Sequence, residues 1–208
     1  MTSSIIKRTS LLAALLLTTP ALAGAPSSAS ASAAACTQLK EELVKHAQEQ
    51  GINLNQEQIS TLASDEATIA ATNIAGFENI PDTEYAKGVD VAFVYIDSPE
   101  AGVPAGHYRV NVQANPEDIK VGRYTATATL FDKDGKEVAK RATRVETFGT
   151  PLKSAAYGSP LRVGLQQQTI NDWNIQRFRG TVTLIMVRPW GVLVLDLFNS
   201  YTEVFYGW

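Results

Sequence analysis

The apolar positions of this chain change their period along its length, and the changes divide it into elements. From Thr37 to about Gly76 the period is helical. Leu39, Leu43, His46 and Ala47 share one face of a helix that should stop at Gly51, a residue suited to a left-handed cap. Asn55 with Gln58 three residues later resembles a capping box, and Ile59, Leu62, Ala63 and Ile69 would stripe the helix it opens. The pattern therefore predicts a helical hairpin over 37–80. Both stripes are thin, so neither helix should be stable unless it docks on the remainder.

After Pro81 the period becomes two. Val89 to Ile96 is a nearly continuous apolar run, as in a buried strand. Tyr108, Val110 and Val112 alternate with Arg109, Asn111 and Gln113, and Tyr124, Ala126, Ala128 and Leu130 alternate with Arg123, Thr125, Thr127 and Thr129. Asp132-Lys133-Asp134-Gly135 supplies a tight turn into Lys136 to Glu146, a strand whose Lys140, Arg141 and Arg144 suit a sheet edge. Leu161, Val163 and Leu165 suggest another strand. Thr181 to Val187 and Gly191 to Phe198 form a pair joined by Arg188-Pro189-Trp190-Gly191, with Pro and Gly where a type I turn wants them. Tyr201 to Tyr206 would add a last strand. About seven or eight short strands at this spacing predict an Ig-like or related antiparallel β-sandwich over 81–208.

The N-terminal segment reads differently. Lys7 and Arg8 precede the apolar run Leu11 to Leu17, and Pro20-Ala21-Leu22-Ala23 has the small-x-small pattern of a cleavage site before Gly24. Residues 1–23 are expected to be a signal peptide, too short in its apolar part for a bilayer span of about 20 residues. Residues 24–36, rich in Ser and Ala, have nothing bulky to bury and are expected to be a disordered linker. The mature chain should then be secreted or periplasmic. No later stretch reads as a transmembrane helix, because the richest, Val182 to Phe198, contains Arg188, Pro189, Gly191 and Asp196.

Composition narrows the partners. The formal net charge is −3, and the leader carries two bases and no acid, so the mature chain is more acidic still. Without a basic block, nucleic acid is not an expected partner. A single cysteine, Cys36, excludes an intramolecular disulfide. Ala33-Ala34-Ala35-Cys36 has the small residues that precede a lipidated cysteine, which gives the alternative of a lipid anchor at Cys36. Against it, Pro20 and the Ser/Ala stretch separate the cysteine from the apolar run.

Candidate chemistry is sparse. Asp132-x-Asp134-Gly135 begins like a calcium loop, but the glycine comes two residues early for an EF-hand, so a hairpin turn is the reading. Two histidines and one cysteine cannot close a zinc site without carboxylates, and nothing in the spacing joins His46 to His107. No metal and no cofactor is expected. Asp97 and His107 bracket the loop Ser98 to Gly106, with Ser98 and Glu100 nearby. A small hydrolase using His107 with Asp97 is thus an alternative to a non-catalytic protein.

The aromatics carry the stronger signal. Trp190 falls at the tip of a predicted hairpin, where a large apolar side chain must pack back or meet a partner. Trp173, Tyr206 and Trp208 lie in the same C-terminal third and are further candidates for binding. The alternating aromatics at the end of the chain also suit a small outer-membrane β-barrel, although several strands are short for one. The expected function is an exported, non-catalytic binding or interaction module with a protein or carbohydrate partner.

Overall fold

The computed structural model describes residues 28–63, 67–151, 161–172 and 175–205. The expected signal peptide, its cleavage site, and the candidates Trp173, Tyr206 and Trp208 lie outside the described residues. Among the described residues, one α-helix, α1 (Ser28–Glu49), precedes nine strands. These are β1 (Ser60–Ala63), β2 (Thr68–Asn73), β3 (Val89–Asp97), β4 (Gly106–Gln113), β5 (Gly122–Phe131), β6 (Glu137–Thr147), β7 (Leu161–Asp172), β8 (Ile175–Arg188) and β9 (Gly191–Phe205). All belong to one antiparallel sheet in the order β1-β2-β3-β4-β5-β6-β9-β8-β7.

The protein is mainly β, but its strands do not divide into the two facing sheets of a sandwich. The single sheet curls into a half-barrel, and its far edge β7 approaches β1 and β2. Alternation in a strand records that one face is buried, not what lies opposite, so a curled sheet and a sandwich read alike. The concave side holds the main core, including Ile69, Val94, Val110, Ala128, Leu184 and Leu195. On β4 and β5 the apolar set faces this core and Arg109, Asn111, Arg123, Thr125 and Thr127 face away. Strand β6 is internal, between β5 and β9, and not an edge. Its exposed Lys140 and Arg144 mark an outward face, while Arg141 donates to the Ala101 carbonyl at 2.9 Å.

Helix α1 begins at Ser28, inside the stretch expected to be a linker. Alanine is the strongest helix former, so a Ser/Ala run with nothing to bury still extends a helix anchored further on. The C-terminus matches the expectation: Gly51 takes φ +70°, its N–H donates to the Gln48 carbonyl, and the Ile52 N–H donates to that of Ala47. That is the paired bonding of a Schellman cap. Leu43 and Ala47, fully buried, pack with Leu39 on Ala70 and Phe93. Helix α1 thus covers the outer face of β2 and β3.

Among the described residues, the second helix of the expected hairpin does not form. Its place is taken by a single 3-10 turn (Gln56–Gln58) followed by β1 and β2. Asn55 makes no side-chain cap; its carbonyl accepts the Thr72 hydroxyl at 2.7 Å instead. The sheet therefore begins at Ser60, not after Pro81. Strand β2 lies between α1 and the main core, is buried on both faces, and so lacks the alternation that would have identified it.

Candidate functional site

The β8–β9 hairpin forms with the register expected for it. Arg188 pairs with Gly191 across a two-residue turn of Pro189 and Trp190. Gly191 is required by its neighbour: a Cβ there would lie 2.4 Å from the Glu146 carbonyl oxygen of β6. The Trp190 carbonyl accepts the Phe148 N–H at 2.8 Å, which fixes the turn against the end of β6. The indole remains 49% exposed, and Val121, in the β4–β5 connection, is 71% exposed. Both line one cavity of about 410 Å³ at this end of the half-barrel. Its polar lining includes Asn79, Asp82, Lys120 and Thr147.

Arg188 closes the floor of that cavity. Its side chain is buried, with Nη1 donating to the Ile80 carbonyl at 2.9 Å and Nη2 to Asp82 Oδ1. The guanidinium lies over the rings of Tyr85 and Phe77, with its carbon 5.1 and 5.7 Å from their centroids. Burial lowers its pKa to about 10, so it remains charged at neutral pH. The irregular segment between β2 and β3, which carries Phe77, Asp82 and Tyr85, is in this way tied to the end of β8. Sequence reading missed this pairing, because neither residue has a local partner that announces it.

The second polar cluster lies beneath α1 on the outer face. The chain's two histidines meet there, with ring centroids 4.0 Å apart and planes tilted by 37°. Register accounts for one half of the meeting. His107 sits opposite Tyr95, its ring 4.9 Å from the Tyr95 ring, and α1 lays His46 across it. Glu49 holds His46 through Nδ1 at 3.0 Å. Burial first, and His46 second, push the pKa of His107 down to about 4 from 6.5.

This arrangement bears on the Asp97–His107 pair. Asp97 accepts the Tyr95 hydroxyl and sits opposite Thr68, while His107 has Tyr95 opposite it and His46 on its face. The two are thereby related through Tyr95. Ser98 is buried. Among the described residues, no group of three or more His, Cys, Asp or Glu is placed to hold a metal ion.

The remaining candidates fall in plain surroundings. Cys36 is a free, partly exposed thiol on α1. The Asp132–Gly135 segment is a turn: Asp132 Oδ1 accepts the N–H groups of Asp134 and Lys136 at 3.0 and 2.9 Å, and Gly135 takes φ +74°. No helix among the described residues is long and apolar enough to cross a membrane. No protein family, curated protein or solved structure matches this chain.

Proposed function

We propose that the protein is an exported, non-catalytic binding module that takes a saccharide ring at the mouth of the half-barrel, with Trp190 as its stacking platform. One observation carries the reading: a half-exposed indole, held in place by its turn, lines the same cavity as Asn79 and Asp82. A sugar needs both kinds of surface. Its C–H face packs on an aromatic plane, and its hydroxyls seek carboxylate and amide groups at the edge. The Asp82 side chain is 23% exposed, so part of its carboxylate is open to a ligand while Oδ1 serves Arg188.

Export rests on the basic, apolar and small-residue pattern of residues 1–23. The outward polar faces of β4 and β5 favour an aqueous setting over a lipid-facing barrel, whose apolar set would point outward. The test is a screen of the purified protein on immobilised oligosaccharides, repeated with Trp190→Ala. Binding by the wild type and its loss in the variant would support the reading. No saccharide bound, or binding unchanged by the substitution, would overturn it.

A further inference from the structure

We infer that the stacked His46–His107 pair is a pH-sensitive latch, holding α1 on the sheet while both imidazoles are neutral and releasing it when both carry a proton. The geometry supports this without reference to the binding mouth. Two neutral rings with centroids 4.0 Å apart attract by stacking, whereas two imidazolium ions at that separation repel in a partly desolvated contact.

The surrounding charges decide which ring resists protonation. On α1, Glu49 is paired with His46, and Glu42 favours the charged form of His107. On β3, Tyr95 and Asp97 are bonded to one another. On β4, the nearest charge on the same face is Arg109, which is held by Asp90 at 2.5 Å. The turn between β5 and β6 contributes Asp132 and Lys133 to the cavity that both imidazoles line. A proton on His107 must therefore sit against the His46 ring, a cation when that ring is protonated. Burial and that cation both oppose it, in agreement with the lowered pKa of His107.

Few contacts stand against the repulsion. Helix α1 is held mainly by Leu43 and Ala47, with Leu39 partly buried beside them. Release would uncover Phe93, Ala70 and Tyr95 on the outer face of β2 and β3 while leaving the concave core intact.

Hydrogen exchange followed by mass spectrometry on the intact protein tests the latch, with rates corrected for the intrinsic effect of pH. Between about pH 7.5 and pH 5, protection of residues 43–49 should fall on the order of tenfold, while β4 and β5 keep theirs. In His107→Phe this fall should disappear, and in His46→Phe it should shrink, because burial of His107 still opposes its proton. The His46 side chain is 42% exposed, so the second variant keeps the test open if the first does not fold. Equal protection of α1 at both pH values in the wild type would overturn the latch. So would a fall of undiminished size in a folded variant.

Discussion

Arg188 and Asp82, 106 residues apart in sequence, meet as a buried ion pair beneath the cavity that Trp190 borders. The pair ties the segment between β2 and β3 to the tip of the β8–β9 hairpin, so the position of the indole depends on it. The guanidinium is fully desolvated and Asp82 only partly so, and that asymmetry decides what each substitution should do.

Removing the carboxylate leaves a buried, uncompensated cation. Asp82→Ala should cost about 3–5 kcal/mol in urea unfolding. Arg188→Met leaves a carboxylate that water reaches and fills much of the vacated volume, so it should cost less. The reverse order would show that Asp82, not Arg188, is the strained partner.

Gly191 tests how tightly β9 meets β6. A methyl group there would enter the Glu146 carbonyl, which is backbone and cannot rotate away. Gly191→Ala should lower stability by about 1–3 kcal/mol and shift the hairpin. A thermal midpoint unchanged from the wild type would show that the strands have room to separate.

Much of this fold was legible in the sequence. The alternation over Tyr108–Gln113 and Arg123–Leu130 gave β4 and β5, and Asp132 and Gly135 gave their turn into β6. The Pro-Trp-Gly sequence gave the β8–β9 hairpin with Trp190 at its tip. What misled was Ile59, Leu62, Ala63 and Ile69. Their spacing suits a helix, and the Ala-rich β2 has a helix former at its centre, but burial on both faces overrides propensity there. The sandwich expectation failed for a related reason, since strand pattern is silent on how a sheet closes. Nothing in the spacing joins His46 to His107, because only the register of β3 on β4 and the docking of α1 bring them together.

Helix α1 should be separable from the sheet by a substitution on its buried stripe. Leu43→Ala removes its one fully buried large side chain and should weaken docking by about 2–4 kcal/mol. Amide exchange should then quicken across α1 while β4 and β5 remain protected. Uniform loss of protection would mean that helix and sheet unfold together.

The sign of the pH dependence follows from His107. Its folded pKa, about 4, lies below the 6.5 of an unfolded histidine, so the unfolded state binds more protons between those values. Stability should be flat above about pH 7 and fall as pH drops through that window, with the contribution of His107 levelling off below about pH 4. The thermal midpoint of His107→Phe should lose that part of the dependence. A wild-type midpoint constant from pH 7 to 5 would contradict the lowered pKa.

The most direct test of the account is saccharide binding by Trp190→Ala measured together with its thermal midpoint. A platform residue half exposed at the cavity mouth should lose about tenfold or more in affinity when truncated, with the midpoint moving by no more than about 2 °C. Binding that survives the substitution, or a midpoint that collapses with it, would contradict the claim that Trp190 serves recognition and not the core.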